Sequence, residues 1–247
     1  MSHAELTDTA RDRLIRAAAD LLTEGGRDAV STRAVSAAAG VQAPTLYRLF
    51  GDKDGLLDAV AAYGFEQYLA DKLALESTGD PVEDLRRGWD LHVEFGLSKP
   101  AFYVLMYGDA RPGKLSPAAR EAAGVLRGMI AEVAAAGRLR MSVERAAQLA
   151  SAVGRGVVME LISIPPAERD LELSVIAREN TLQAILTPVR PDVLWPDEAM
   201  VDLPSRAVAL RALLDRQPAA GLTEAEQGLL EQWLDRIADA PAPAGQG

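Results

Sequence analysis

Few side chains in this sequence could carry covalent or metal chemistry. The 247 residues contain no cysteine and only two histidines, His3 and His92. The lack of cysteine excludes disulfides, thiolate metal sites and cysteine nucleophiles, and two histidines are too few for a histidine-rich metal centre. No glycine-rich phosphate loop or nucleophile elbow is present, and His92 with Glu94 is too little for acid–base catalysis. We therefore expect neither an enzyme nor a bound cofactor.

A clearer chemical pattern lies around Gln42-Ala43-Pro44-Thr45, which is followed by Tyr47 and Arg48. A helix that reads base edges needs short side chains, because bulky ones keep its backbone out of the DNA groove. Gln42 can pair with adenine through two hydrogen bonds, and the Pro44 ring can contact a thymine methyl group. The Tyr47 hydroxyl can reach a phosphate.

Two further residues are placed to bind phosphate at helix starts. Lys53 opens a long predicted helix, so its ammonium group and the exposed N–H groups there can share one phosphate. Thr32 can do the same at the start of an earlier helix. Other interpretations stay open: Tyr47 could be a core aromatic residue, Arg33 and Arg48 could be solvated surface charges, and Pro44 could simply start a helix.

The charge of the chain limits the size of any DNA-binding face. The formal net charge is −10, which is the wrong sign for a general nucleic-acid binder. Residues 31–53, however, hold Arg33, Arg48 and Lys53 against Asp52 alone, a local balance of +2. A DNA-binding face must therefore be small and local.

The hydrophobic pattern predicts helices almost throughout the chain. Apolar residues recur at spacings of three and four, and no hairpin or strand–helix–strand unit is visible. The predicted helices cover about residues 9–24, 31–39, 42–50, 53–76, 82–98, 100–107, 117–136, 143–164, 170–186, 202–216 and 223–238. The sequence shows no apolar run long enough to span a membrane and no signal-peptide layout at its start, so we expect a cytoplasmic protein.

The second and third predicted helices have the outline of a helix-turn-helix. Ala38-Ala39-Gly40 keeps the corner between them small, so that the helices can cross closely. Val41, Leu46 and Leu49 are spaced to hold the third helix against a core. This arrangement leaves the polar residues of the third helix pointing outward.

Residues 31–60, STRAVSAAAGVQAPTLYRLFGDKDGLLDAV, resemble the DNA-binding domain of the tetracycline-repressor (TetR) family. The positions that carry the resemblance are Thr32-Arg33, Gly40-Val41, Pro44-Thr45-Leu46-Tyr47, Phe50 and Lys53. The resemblance covers residues 9–60, about a fifth of the chain. One departure is Leu49, where the family often has histidine or tyrosine.

The resemblance implies a role for each matching residue. Thr32, Tyr47 and Lys53 match positions that contact phosphates. Arg33, Gln42, Ala43, Pro44 and Thr45 match positions that contact bases, with Arg33 the best candidate for reading guanine. Arg48 also points outward on the third helix. The implied partner is a double-stranded DNA operator.

Aromatic residues are only 5% of the chain and crowd together between positions 89 and 107. An apolar cavity with a few polar groups is the usual composition of a small-molecule site. The predicted effector-pocket residues are Trp89, His92, Phe95, Phe102, Tyr103, Met106, Tyr107 and Met129. The resemblance implies that an effector binds in this region. Alternatively, these residues form an ordinary core, with His92 hydrogen-bonded inside it.

The helices over residues 143–164 and 170–186 resemble the pair through which the family dimerises as a four-helix bundle. Small residues on the first of them allow close helix approach. The predicted interface residues are Ala150, Val153, Gly154, Val157, Leu161, Ile176, Leu182 and Ile185. The alternative is that these residues form a core within one chain.

The sequence as a whole predicts an all-α protein with an N-terminal three-helix helix-turn-helix domain and a larger helical-bundle domain. The predicted boundaries are 1–60 for DNA binding, 61–187 for effector binding and dimerisation, 188–240 for a helical extension after an extended connector, and 241–247 for a disordered tail. The function implied is a homodimeric repressor that a small apolar or aromatic effector releases from a palindromic operator. An activator of the same family, or a helical protein-interaction module without DNA binding, is the alternative.

Overall fold

The fold is helical, as the sequence predicts. The computed structural model describes residues 9–74, 76–108, 115–187, 203–217 and 221–240. Its helices are α1 Ala10–Ala29, α2 Thr32–Ala39, α3 Ala43–Phe50, α4 Lys53–Leu73, α5 Pro81–Ser98, α6 Pro100–Tyr107, α7 Pro117–Ala135, α8 Val143–Ser163, α9 Glu172–Ile185, α10 Leu203–Arg216 and α11 Glu224–Ala238. Within these ranges, extended pairing is limited to one antiparallel bridge, between Leu139 and Leu186. The predicted connector over 188–201 and the predicted tail over 241–247 fall outside the described residues.

The first helix starts where the sequence predicts but continues further. Thr9 and Asp12 form a reciprocal capping box at its start. The predicted end at Glu24 is wrong, because the helical turns resume after Gly26 and run to Ala29. Gly26 has a φ of 67°, a left-handed conformation that glycine adopts without steric cost. The glycine pair therefore kinks this helix instead of ending it.

The first of two compact units comprises Met1–Leu75 and Leu91–Ala122. Helices α1 to α4 surround one apolar core, and α6 adds Ala101, Phe102 and Leu105 to its edge. The predicted domain boundary after residue 60 therefore lies inside α4, a helix that is continuous within this unit.

The second unit comprises Glu76–Asp90 and Ala123–Gly247. Its core gathers buried residues from the first turns of α5, from α7 and α8, from the end of α9, and from α10 and α11. Ion pairs join α9 to α5 at the edge of this core. The guanidinium group of Arg86 donates to Glu179 at 3.1 Å, and Arg178 pairs with Asp90.

Candidate nucleic-acid interface

The turn between α2 and α3 is built by backbone geometry. Ser31 caps α2 by accepting a hydrogen bond from the Ala34 N–H at 3.1 Å. Gly40 ends α2 with φ 62° and ψ 34°, a left-handed conformation typical of helix ends. The Val41 N–H then donates to the Ser36 carbonyl at 3.0 Å. These contacts fix the direction in which α3 leaves the corner.

Helix α3 presents one face to the core and one to solvent. Leu46 is fully buried, and Val41, Leu49 and Phe50 pack around the same core, which confirms the predicted anchoring of this helix. Exposed residues on or next to α3 are Gln42, Pro44, Tyr47 and Arg48, while Ala43 and Thr45 are half-buried. Tyr47 is 49% exposed, so it is not the core aromatic residue that the alternative interpretation required.

The predicted phosphate-binding residues come from three helices. The Thr32 Oγ1 and the Tyr47 hydroxyl lie 3.4 Å apart, so the start of α2 is next to the middle of α3. Lys53 is the first residue of α4 and is half-buried, and Arg33 is exposed one position after Thr32. Three of these four side chains belong to the helix-turn-helix, and the fourth, Lys53, belongs to the first residue of the next helix.

Gln42 keeps its side chain available for other partners. It occupies the cap position of α3, but its side chain makes no capping hydrogen bond, and Pro44 stands in the first turn, where a missing N–H costs little. At the other end of α3, the Arg11 guanidinium lies 5.6 Å from the centre of the Phe50 ring. Helix α1 therefore supports the end of α3 opposite to Gln42.

Half of the predicted effector-pocket residues form a packed aromatic cluster in the first unit. His92 Nε2 lies 2.9 Å from the Tyr103 hydroxyl, and the Tyr103 side chain is fully buried. Phe95 stacks on Tyr68 at 4.7 Å, and the ring centres of Tyr103 and Tyr107 are 4.8 Å apart. Burial raises the pKa of the Tyr68 phenol. His92 is thus hydrogen-bonded inside an aromatic core.

The remaining predicted pocket residues divide between two places. Trp89 and Met129 belong to the second unit, where the indole N–H of Trp89 donates to the Ser174 hydroxyl at 3.1 Å. Phe102 lies against the core of the helix-turn-helix, and Met106 is buried. The structure therefore brings together His92, Phe95, Tyr103 and Tyr107, but not the complete set.

A surface groove of about 550 Å³ lies beside the aromatic cluster in the first unit. Its apolar floor includes Ile15 and Leu69, and Phe65, whose ring is 6.0 Å from that of Phe95, forms part of the wall. Its rim carries Arg11, Arg16, Asp12, Tyr63, Glu66 and Glu121. No sequence pattern indicated this groove, because its residues come from three separate helices, α1, α4 and α7.

A close contact between α4 and α6 was also missed from the sequence. A Cβ atom placed on Gly64 would lie only 2.0 Å from the Phe102 ring. Gly64 therefore lets α6 approach α4 at the edge of the helix-turn-helix core. A glycine in the middle of a helical pattern was the available signal, but the partner could not be inferred without the fold.

The predicted interface residues on α8 and α9 are mostly buried within the single chain. Ala150, Gly154, Val157, Leu161, Leu182 and Ile185 are buried, and Val153 is half-buried. Ile176 is 52% exposed, and it stands beside other exposed apolar residues at the start of α9, namely Leu171, Leu173 and Val175. Of the predicted interface residues, Ile176 is therefore the most exposed and belongs to a group of exposed apolar residues.

The geometry of the first sixty residues agrees with the comparison to known proteins. Residues 14–60 match the family of bacterial regulatory proteins called the tetR family. This segment of the chain is a tetR-family domain. A 56-residue stretch is 46% identical to the class A tetracycline repressor protein from transposon 1721 of Escherichia coli, covering 23% of this chain and 26% of that protein. The chain thus matches about a quarter of the length of this curated TetR-family relative.

Solved structures extend the similarity in fold beyond the amino-terminal helices. A TetR-family transcriptional regulator from Streptomyces coelicolor shows 25% identity and a TM-score of 0.54, covering 71% of this chain and 96% of that one. A protein of unknown function from Rhodococcus sp. RHA1 shows 22% identity and a TM-score of 0.61, covering 75% of this chain and all of that one. A TetR transcription regulator from Haloarcula marismortui shows 19% identity and a TM-score of 0.56, covering 72% and 98%. Each leaves about a quarter of this chain without a counterpart.

Two features are absent from the described residues. Among the described residues, no helix is both long enough and apolar enough to cross a membrane. The same residues contain no group of three or more histidine, aspartate or glutamate side chains that could hold a metal ion.

Proposed function

We propose that this chain is a ligand-responsive transcriptional regulator that binds a palindromic operator as a homodimer and represses transcription. The observation that carries the proposal is the exposed face of α3. It presents Gln42, Pro44, Tyr47 and Arg48 to solvent while Leu46 holds the helix on the core. A recognition helix in a major groove needs this division between anchoring and reading residues.

The small basic surface explains why two copies are needed. Each subunit offers Lys53, Arg33 and Arg48 together with the hydroxyls of Thr32 and Tyr47. Neutralising about 4–6 phosphate charges per dimer gives a slope of about −4 to −5 for log K against log salt concentration. Specific binding should therefore weaken by about two to three decades between 50 and 200 mM salt.

The second copy is proposed to pack on α8 and α9. The exposed apolar residues at the start of α9, which include Ile176, supply the surface, and Val153 is the half-buried predicted residue on α8. A two-fold arrangement would bring the same face from both copies together. The buried predicted residues would then support this face from within each protomer.

The effector is proposed to act on the aromatic cluster, and α6 is the element that transmits its effect. Tyr103 and Tyr107 belong to the cluster, whereas Phe102 on the same helix packs against the helix-turn-helix core. A small apolar or aromatic molecule that separates the cluster rings must displace α6 from α4. An effector that binds the released form about 100-fold more tightly supplies about 2.7 kcal/mol of coupling.

The experiment that tests DNA binding is selection of duplexes from a random pool by the purified full-length chain at about 150 mM salt. We expect one palindrome to be enriched. Arg33→Ala should weaken binding by tenfold or more, about 1–3 kcal/mol, and relax the preference at one base pair. Tyr47→Phe should weaken it about five- to tenfold without changing the preferred sequence.

A matched control is Arg140→Ala, which removes an exposed arginine of the second unit. This variant should bind the selected palindrome like the unmodified chain. A folded dimer that enriches no sequence would contradict the proposal and favour a helical interaction module. Transcription from a promoter that carries the selected palindrome separates repressor from activator, since adding the protein should lower transcription.

A further inference from the structure

One side of the α10–α11 hairpin packs against the core of the second unit. Val208 and Ala212 on α10, and Ala238 on α11, are buried in the large core. Beyond the end of α11, Asp239 accepts hydrogen bonds from the Ser142 hydroxyl at 2.8 Å and from the Ser142 N–H at 3.2 Å. Arg216 pairs with Glu132 of α7 at 2.5 Å. These contacts fix the hairpin by its inner side.

The opposite side of the hairpin exposes large apolar residues. On α11, Leu229 is 44% exposed and Trp233 is 51% exposed. At 100° per residue, these two positions lie about half a turn away from Ala238, which faces the core. On α10, Leu210 and Leu213 are exposed on the side away from Val208 and Ala212. An apolar area that includes a tryptophan and several leucines indicates a contact with another molecule.

The exposed stripe of α11 has a symmetric order of residue types. Glu226, Leu229, Trp233 and Arg236 follow one another at spacings of three, four and three, so they share one face of the helix. An acidic residue stands at one end, a basic residue at the other, and two large apolar residues lie between them. We call these four residues the α11 stripe.

This order makes the α11 stripe complementary to a second copy of itself. If two α11 helices pack antiparallel around a two-fold axis at residue 231, Leu229 of each copy lies opposite Trp233 of the other. The same register places Glu226 of each copy opposite Arg236 of the other. A two-fold interface requires this reciprocity. If one residue contacts a second residue on the other copy, the symmetry repeats the same contact with the two copies exchanged.

The acidic end of the stripe is organised before any partner arrives. The Glu226 carboxylate accepts hydrogen bonds from the Thr223 N–H at 2.8 Å and from the Thr223 hydroxyl at 2.7 Å. Both bonds use the same oxygen, Oε2, so the capping box leaves the other oxygen unused. These hydrogen bonds keep the pKa of Glu226 below its usual value, so the group is charged at neutral pH.

We propose that the occupant of the α11 stripe is a second copy of this chain, packed antiparallel with a two-fold axis near residue 231. Leu210 and Leu213 of α10 broaden the apolar contact beside the stripe. This association surface is separate from the face around Ile176 and does not depend on DNA binding. Where both surfaces are used, the chain forms an assembly larger than a dimer.

The first test uses the absence of cysteine in the full-length chain, which makes any introduced thiol unique. In the proposed register, residue 232 of the two copies is separated by only about 3 Å along the helix axes. Gln232→Cys should therefore form disulfide-linked pairs under a mild oxidant. Gln217→Cys, an exposed position at the far end of α10, is the matched control and should link at least tenfold more slowly. Equal rates at the two positions would overturn the proposal.

A second test exchanges the charges at the ends of the stripe. Glu226→Arg or Arg236→Glu alone places like charges opposite each other at both ends, and each should raise the concentration for half-association about tenfold in sedimentation experiments. Trp233→Ser should raise it about 30-fold or more. The double variant E226R/R236E, or an equimolar mixture of the two single variants, should restore association.

These variants distinguish loss of the proposed contact from loss of folding. Glu226→Arg also removes the side-chain half of the α11 capping box, whereas Arg236→Glu leaves the capping box intact, so the circular dichroism spectrum of Arg236→Glu should be unchanged. Rescue cannot come from within one chain, because positions 226 and 236 are about 15 Å apart along the helix. Failure of the mixture to restore association, with both variants helical, would contradict the proposed register. Ile176→Ser should leave Gln232→Cys linking intact.

Discussion

Two tyrosines in the first unit show how differently the same side chain can be used. Tyr47 on α3 is 49% exposed, and its hydroxyl lies 3.4 Å from that of Thr32 at the edge of the candidate DNA-binding face. Tyr103 on α6 is fully buried, and its hydroxyl lies 2.9 Å from His92 inside the aromatic cluster. An exposed side chain contributes chiefly when a partner binds, whereas a buried one contributes to folding at all times.

The two regions differ in the property that a substitution should change, DNA affinity or stability. On the α3 face, we expect losses of DNA affinity with little loss of stability. In and around the aromatic cluster, we expect losses of stability, because each ring is packed against several others. Substitutions between the two regions, at the contact of α4 with α6, should affect both properties.

The largest effect is expected for Gly64→Ala. The added methyl group would overlap the Phe102 ring at 2.0 Å, so α6 must shift away from α4. Overpacking of this kind costs about 1–3 kcal/mol in the free energy of unfolding, measured by urea denaturation. DNA affinity should fall as well, because Phe102 packs on the helix-turn-helix core.

Two further variants make that expectation specific. Gly156→Ala on α8 adds the same methyl group where no heavy atom lies within 4 Å, so it should raise stability by about 0.5–1 kcal/mol. The double variant G64A/F102A should lose less free energy of unfolding than the sum of the two single variants, because Phe102 is the side chain that the added methyl group overlaps. If the losses of the two single variants simply add, the methyl group must overlap a residue other than Phe102.

The two regions also differ in how far their structure could be predicted from the sequence. The DNA-binding face was predictable because its signals are local: the Gly40 turn, Pro44 in a first turn, and Leu46 spaced to meet a core. The aromatic cluster was only partly predictable, because the burial of Tyr103 and the hydrogen bond of Trp89 to Ser174 depend on contacts between elements that are distant in the sequence. The continuation of α1 past Gly26 was missed because a glycine pair more often ends a helix than kinks it.

The next effect in size is expected for Tyr103→Phe. Tyr103→Phe removes the 2.9 Å hydrogen bond between His92 Nε2 and the hydroxyl of the fully buried Tyr103 side chain. The expected loss in the free energy of unfolding is about 1–2 kcal/mol, measured by urea denaturation. The matched substitution Tyr47→Phe should change stability by less than about 0.5 kcal/mol while still weakening DNA binding. A reversed pattern would contradict the division between the two regions.

A smaller effect is expected for Ser31→Ala, which removes the cap of α2. The Ser31 hydroxyl accepts a hydrogen bond from the Ala34 N–H at 3.1 Å, and its loss should cost about 1 kcal/mol. Since Thr32 and Arg33 follow directly, the frayed turn should also weaken DNA binding. Ser31→Asp keeps an acceptor at this position and should retain stability. Its added negative charge beside a phosphate should nevertheless lower DNA affinity.

The smallest effect lies in the second unit and depends on pH. Hydrogen bonds from Arg86, and then from Arg178, lower the pKa of Glu179 below its usual value of about 4.3. A carboxylate whose pKa is lower in the folded state stabilises the fold above the unfolded pKa, and this contribution is lost as the pH falls through the folded value. The side chain of Glu179 is 37% exposed, so solvent screening keeps the effect below about 1 kcal/mol.

The substitution that tests this is Glu179→Gln, with urea denaturation measured from pH 7 down to the lowest pH at which the chain still folds. We expect the variant to be less stable at pH 7 and the difference to vanish at the acid end, where Glu179 in the unmodified chain is protonated too. Glu160→Gln, at an exposed position of α8, is the control and should show a smaller dependence. DNA affinity should be unaffected by either change, because this ion-pair network lies in the second unit. A Glu179→Gln difference that stays the same from pH 7 to the acid end would mean that packing, and not charge, supports the contact of α5 with α9.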